Sequence, residues 1–273
     1  MAAAMDRLGI EQLSVFGLPP VEFVNLAADL GCRYISTALT AIPYNPHGYE
    51  PFSLRDDPAL RRAMLSAMDD RGVSISLGEG FTIPAERDIR EAGADLDCMA
   101  ELGVGRINTV SMDPDRSRSF DQFARLAEMA GAHGMEATVE LAPGLTVSDL
   151  DTALAALTHV QRPNFRLLID TMHFVRSGSR AADLAAVDPE LIGYVQLSDA
   201  PLQPIVANYM EEAMFERMVP GEGELPLREI LGGLPGGVVI GLEVPMRRSA
   251  EAGVGPHDRL RRCLEGARGL LAG

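Results

Sequence analysis

The amino-acid pattern predicts an α/β protein built as a single closed (β/α)8 barrel, and three observations lead there. A helix-to-strand junction recurs as DLGCRYIST, DRGVSISLG, ELGVGRINTV and AHGMEATVEL, with Gly31, Gly72, Gly103 and Gly134 spaced 41, 31 and 31 residues apart. Each interval holds one strand, one helix and their loops. The second half supplies continuous apolar runs, FRLLID, YVQL and VVIGLEV, of the kind parallel strands show when both faces are covered. The 273 residues divide into eight units of about 34 residues, the length of an α/β barrel. The whole chain, 1–273, is therefore expected to be one domain.

Taken in order, strands are predicted near 10–16, 33–38, 73–78, 106–110, 135–141, 165–170, 192–198 and 238–244. Glycine suits the junctions because the residue closing a helix often takes a positive φ. Two of the segments, LGCRYIST and LGVGRINT, share Leu-Gly, Ile and Thr in register. Between junctions, apolar residues recur at helical spacing: Val21, Val24, Ala28 and Leu30; Ile89, Ala92, Leu96 and Met99; Phe123, Leu126 and Ala130. These stripes are core. Later helices are predicted around Val147–Leu157, Leu227–Leu231 and His257–Leu271. A doubly wound open sheet, the competing architecture, normally carries a Gly-rich phosphate loop after an early strand. GEGF and PGEGE are too short to form one.

Composition narrows the function. With 47% hydrophobic and 23% charged residues, the chain can bury a full core, which excludes disorder and fibre. Its 24 Lys+Arg against 39 Asp+Glu give a net charge of −15, which repels phosphate backbones and anionic lipid and argues against nucleic-acid and membrane partners. Three widely separated cysteines, Cys32, Cys98 and Cys263, have no zinc-type spacing and fit a reducing compartment. The start lacks a leader pattern and no 18 apolar residues run together, so a cytoplasmic protein is expected. An oligomer is compatible with this barrel class, although no helix face stands out as an interface.

In such a barrel the active site lies at the C-terminal strand ends. Glu140 ends EATVE, Asp170 ends FRLLID, Gln196 lies in YVQLSD, and Glu243 ends VVIGLE. Carboxylates converging from strands five to eight need a cation or protons. Three carboxylates and an amide oxygen form a hard set suited to Mn²⁺, with Mg²⁺ or Co²⁺ as alternatives, rather than a Cys/His zinc site.

These motifs, Glu140 in TVEL, Asp170 and His173 in IDTMH, Gln196 and Asp199 in QLSDAP, Arg217 in RMVPGEGE and Glu243 in LEVP, resemble the sugar phosphate isomerase/epimerase superfamily of xylose isomerase-like TIM barrels. The resemblance covers essentially the whole chain and is strongest between about 130 and 250. It implies that Glu140, Asp170, Gln196 and Glu243 bind the metal, and that Glu140 and Glu243 also act as acid and base. It further implies that His173 hydrogen-bonds a substrate hydroxyl or carbonyl and that Arg217 binds the oxygen beside the reacting carbon. The implied chemistry removes a proton next to a carbonyl, giving a cis-enediolate whose reprotonation isomerises or epimerises a sugar or related hydroxy-keto compound.

The family's commonest residue at position 196 is His. Gln196 within QLSDAP is instead similar to the QLxDAP segment of 3-dehydroshikimate dehydratases in the same superfamily, which makes a lyase the alternative, with His173 or Glu140 as general acid. A barrel that binds metal and ligand without catalysis is the second alternative. A DNA endonuclease of this architecture needs many site histidines and a basic groove, and is excluded by composition.

Other polar residues have weaker assignments. Glu79 in ISLGEG and Asn108 in RINTV are candidate substrate contacts. Asp199 is expected to orient the metal ligands or the following loop. Arg176, Arg180, Arg247 and Arg248 are candidate contacts for a substrate anion, and the loop IPYNPHGYEPF around His47 is a candidate lid. His133, His159 and His257 are expected at helix ends or in loops.

Overall fold

A computed structural model describes residues 7–272; the reading of residues 1–6 as leader-free, and the outermost ends of the one-domain expectation, fall outside them. Eight parallel strands close in chain order: β1 (Leu8–Ile10), β2 (Tyr34–Thr37), β3 (Ser74–Ile83), β4 (Arg106–Ser111), β5 (Glu136–Glu140), β6 (Phe165–Asp170), β7 (Ile192–Leu197) and β8 (Ile240–Leu242), the last pairing with β1. The helices are α1 (Pro20–Asp29), α2 (Pro58–Arg71), α3 (Gly93–Glu101), α4 (Arg116–Ala132), α5 (Leu150–Val160), α6 (Thr171–Arg176), α7 (Ala181–Ala185), α8 (Tyr209–Phe215), α9 (Leu227–Gly232), α10 (Arg247–Glu251) and α11 (Pro256–Leu271). The protein is a (β/α)8 barrel. None of these helices is long and apolar enough to cross a membrane.

The junction glycines do what their position requires: Gly31, Gly72, Gly103 and Gly134 have φ of 74°, 64°, 74° and 72°. Helix starts are set by short acidic side chains. Asp57 accepts from the N–H groups of Ala59 and Leu60, Asp115 from Arg118 and Asp149 from Thr152, which satisfies donors left free in a first helical turn. The main core fills the space between strands and helices, with Phe23, Met64, Leu96, Phe123 and Leu264 among its buried members. A smaller cluster of Leu77, Leu168 and Tyr194, packed against Val239, plugs the barrel interior.

That plug explains the placement of the polar residues. Side chains alternate across a strand with period two. Leu168 therefore shares its inward face with Asp170, Tyr194 with Gln196, and Val239 with Gly241 and Glu243. In these three strands a plug residue lies below the polar residue that faces the mouth.

Several expected boundaries differ. The first strand was predicted at 10–16, but it ends at Ile10 and Gln12–Val15 forms a 3-10 helix. Gln12 N–H donates to Ser36 Oγ at 2.9 Å, and Phe16 takes φ 47°, so the apolar residues of EQLSVF pack from a turn rather than a strand. β3 runs on to Ile83 with a register shift between Gly78 and Phe81, so Glu79 lies within it. β8 is only three residues long and Glu243 follows it, while Glu243 N–H still bonds Leu197 O at 3.2 Å. Ile89–Ala92 is a 3-10 turn preceding α3. His159 lies in the last turn of α5, not in a loop.

Candidate active site

Above the plug, five carboxylates face one another: Glu11 after β1, Glu79 in β3, Glu140 at the end of β5, Asp170 at the end of β6 and Glu243 after β8. One guanidinium answers them. Arg217 Nη1 donates to Asp170 Oδ2, Nη2 lies 2.9 Å from Glu243 Oε2, and Nε is anchored on Ala213 O at 2.7 Å. Asp170 also caps α6, its Oδ1 accepting from His173 N–H at 2.8 Å, and this cap turns His173 back toward the strand ends. His173 Nε2 lies 3.4 Å from Glu140 Oε1 and 3.4 Å from Arg217 Nη2. Its Nδ1 meets the hydroxyl of Tyr209 on α8.

Asn108 stands between two of the acids. Its Nδ2 donates to Glu140 Oε2 at 2.7 Å and reaches Glu79 Oε2 at 3.5 Å, while Thr138 Oγ1 donates to its Oδ1 at 3.1 Å. Gln196 Nε2 reaches Glu79 Oε1 at 3.0 Å, Glu243 Oε1 at 3.2 Å and Glu11 Oε2 at 3.4 Å.

The electrostatics follow from burying like charges together. Burial pushes the Glu140 carboxyl up to about 7, with the Asp170 charge adding to it. Burial raises Glu79 and Glu243 well above the usual carboxylate range, and Glu11 less far. Asp170 goes the other way: burial would raise it, but Arg217 and the His173 contacts outweigh that and hold it low. Burial depresses His173 to about 4, so the imidazole is neutral at physiological pH.

The arrangement fits a hard divalent cation. Donor atoms of Glu140, Asp170 and His173 lie within 4.8 Å of one another, and so do those of Glu11, Glu79 and Glu243. The buried Gln196 Oε1 has no hydrogen-bond partner, and a buried amide oxygen left without a partner calls for one. The four expected ligands thus all face the mouth. They are divided into two groups, with the Arg217 guanidinium bridging Asp170 and Glu243.

Asp199 points elsewhere. Its carboxylate accepts the N–H groups of Ala200, Gly221, Gly223 and Leu225 at 2.9, 2.9, 3.0 and 3.1 Å. It therefore holds the PGEGE loop, and of its two expected tasks the ordering of that loop is the one the structure displays. Gly223 is required there, because a Cβ would lie 2.3 Å from Asp199 Oδ1. Two isolated antiparallel bridges, Asp199 with Met218 and Glu216 with Met246, flank Arg217.

Of the other arginines proposed as anion contacts, Arg176 and Arg247 are held in ion pairs within the fold, while Arg180 and Arg248 lie at the surface. Arg176 pairs with the fully buried Glu212 at 3.1 Å and donates to the carbonyls of Pro201 and Leu202 at 2.7 and 2.8 Å. Arg180 lies out at the start of α7 beside Asp183. Arg247 pairs with Glu211 and Glu216 and stacks over Phe215, and Arg248 reaches Glu216 from the surface at 3.3 Å. His47 approaches Arg259 at 3.5 Å, while its neighbour Tyr44 packs edge-on between Phe16 and Phe215.

Three residues at the site escaped the sequence reading. Glu11 was hidden by the misplaced first strand; set after LGI, it obeys the same strand-end rule as Glu140. Tyr194 reads as core within YVQL. Tyr209 lies in a long connection with no periodic signal.

The chain matches the model of the xylose isomerase-like TIM barrel family over residues 24–265. It is 27% identical over 151 residues to a 3-dehydroshikimate dehydratase from Pseudomonas aeruginosa, a match covering 53% of this chain and only 24% of that protein. Among solved structures, the IOLI protein with a bound zinc atom superposes with a TM-score of 0.80 at 18% identity, covering 97% of this chain and 98% of its own. D-psicose 3-epimerase, solved in the presence of D-fructose, superposes with a TM-score of 0.72 at 17% identity, covering 98% and 100%. With strand order, strand-end carboxylates and sequence in agreement, the chain belongs to the xylose isomerase-like TIM barrel family.

Proposed function

We propose that this protein is a divalent-metal-dependent isomerase or epimerase of a sugar or related hydroxy-keto compound, with Glu140 and Glu243 as its proton-transfer pair. The observation that carries the reading is the line Glu140–His173–Arg217–Glu243, in which two desolvated carboxylates are joined through two nitrogen groups at 3.4, 3.4 and 2.9 Å. A base of this kind works best with a pKa near the operating pH, which is where burial puts Glu140.

Glu140, Asp170, Gln196 and Glu243 would hold the cation, with Mn²⁺ favoured by the oxygen donors and Mg²⁺ or Co²⁺ as alternatives. When bound, the ion supplies concentrated positive charge to substrate oxygens. One carboxylate takes the proton from the carbon beside the carbonyl, and the C–H electron pair moves into the new C–C double bond as the carbonyl oxygen gains negative charge. Arg217 N–H groups face that oxygen. His173, neutral and held through Nδ1 by Tyr209, presents Nε2 to a neighbouring hydroxyl. Returning the proton to the adjacent carbon isomerises; delivery to the opposite face by the second carboxylate epimerises. Glu79 and Asn108 line the same mouth and would contact the substrate.

A dehydratase is the second reading, favoured by Gln196 and by the match to the Pseudomonas aeruginosa enzyme. It begins with the same proton abstraction, followed by loss of the β-hydroxyl with His173 or Glu140 as acid. A panel of free ketoses and 3-dehydroshikimate, incubated with Mn²⁺ in deuterated water, separates the two. Deuterium entering a ketose, reduced roughly 10²–10⁴-fold in Glu140→Gln and Glu243→Gln, supports the first. Loss of water from 3-dehydroshikimate, with ketoses inert, replaces it by the second.

A further inference from the structure

We propose that Glu11 is a positioning residue that fixes which end of the Gln196 amide faces the metal, an inference that rests on the metal-dependent reading above. A glutamine side chain ends in an oxygen and an NH₂ of almost the same shape. Only the oxygen binds a cation, so a Gln ligand needs a device that reads the difference. A carboxylate is such a device, because when ionised it accepts hydrogen bonds and donates none.

Glu11 is built into the barrel for this. It is 1% exposed, directly follows β1, and its carboxylate occupies the space that a side chain on Gly241 would fill: a Cβ there would lie 1.5 Å from Glu11 Oε1. Tyr194, two residues before Gln196 on the same inward face of β7, donates its hydroxyl to Glu11 Oε1 at 2.8 Å. The Tyr194 oxygen is in turn 2.9 Å from Ser76 Oγ. The other carboxylate oxygen, Oε2, takes Gln196 Nε2 at 3.4 Å. The NH₂ of Gln196 faces three carboxylates, Glu79 at 3.0 Å, Glu243 at 3.2 Å and Glu11 at 3.4 Å, of which Glu11 and Glu79 lie outside the expected ligand set. With the NH₂ turned to this side, Oε1 is left without a protein partner and free for the cation. Glu79 is partly exposed at the mouth, whereas Glu11 is fixed from below by Tyr194 and the Gly241 gap.

The experiment is equilibrium Mn²⁺ binding to the full chain, read by the electron paramagnetic resonance signal of free Mn²⁺, for wild type, Glu11→Gln, Tyr194→Phe, Gln196→His and Glu11→Gln/Gln196→His. A glutamine at position 11 both donates and accepts, so it no longer distinguishes the two ends of the Gln196 amide. Glu11→Gln is expected to weaken Mn²⁺ binding roughly 10–100-fold, the range for residues that orient a ligand. An imidazole ligand has no such ambiguity. In the Gln196→His background the same substitution is therefore expected to change affinity by less than about 3-fold, the non-additivity expected of coupled residues. Tyr194→Phe leaves the core intact and should weaken binding in the same direction, deciding the matter if Glu11→Gln fails to fold. Wild-type affinity in Glu11→Gln or Tyr194→Phe overturns the proposal. So does an equal loss in both backgrounds, which would make Glu11 a source of charge only, or two Mn²⁺ per chain falling to one in Glu11→Gln, which would make it a ligand. A wild-type chain that binds no Mn²⁺ overturns the metal-dependent reading as well, whereas normal wild-type binding with an unaffected Glu11→Gln leaves that reading standing.

Discussion

If the site holds a divalent cation as proposed, its buried carboxylates make the affinity a steep function of pH, and Glu140 alone gives a lower bound on that dependence. Its carboxyl, ordinarily near 4.5, is pushed up to about 7, first by burial and then by the Asp170 charge. A carboxyl must lose its proton to act as a ligand, so protons compete with the cation below that value. Well below that value the competition factor is tenfold for each pH unit, or about 1.36 kcal/mol. At pH 7 the carboxyl is already half protonated, so lowering pH from 7 to 5 weakens Mn²⁺ binding about 50-fold, or about 2.3 kcal/mol, through Glu140 alone. Glu243 and Glu79, raised well above the usual range, act in the same direction. His173 is neutral above about 4 and adds nothing across this window. Calorimetric titration with Mn²⁺ at pH 5, 6, 7 and 8, in two buffers of different ionisation enthalpy, measures both the affinity and the protons released. Affinity constant within 3-fold from pH 5 to 7.5 would refute the reasoning, as would Glu140→Gln retaining the full pH dependence.

Further outcomes follow from the contacts around the site. Arg176→Ala strands Glu212 as an unpaired buried carboxylate and should destabilise the fold by about 3–5 kcal/mol, leaving KM unchanged; a raised KM with normal melting would return Arg176 to the substrate. Gly223→Ala pushes a Cβ against Asp199 and should cost about 2–4 kcal/mol as charge-assisted bonds to the loop are lost, seen as a lower melting temperature. Arg217→Lys keeps the charge but cannot bridge Asp170 and Glu243 with two prongs. It should lower kcat roughly 10²-fold under saturating metal, and unchanged kcat would remove Arg217 from the reacting oxygen.

The barrel was legible because its signals are local. A glycine closing a helix with positive φ leaves the same trace at Gly31, Gly72, Gly103 and Gly134, and buried parallel strands cannot hide their apolar runs. The site was legible where a strand ends on a single charged residue, as at Glu140 and Asp170. Reading failed where local pattern has two meanings. The residues of EQLSVF alternate well enough for a strand, yet a 3-10 turn buries the same side chains, and with that strand misplaced Glu11 vanished from view. Arg176 and Arg247 lie at the right end of the barrel, but their partners Glu212, Glu211 and Glu216 come from a segment 30 or more residues away. No spacing in one sequence announces such pairings.

The two bridges that flank Arg217 divide the connection from β7 to β8 into halves with different mechanical character. From Glu216 onward the backbone is clamped on both sides and laced to Asp199, so the guanidinium is aimed by main chain rather than by a flexible arm. The half before it, with Leu202, Ile205 and Met210 exposed and α8 capped only by Asn208, reaches the chemistry through Tyr209. Under the proposed function, the segment before Glu216 can change with the substrate without re-aiming Arg217, so that recognition and reaction are carried by different halves of one connection.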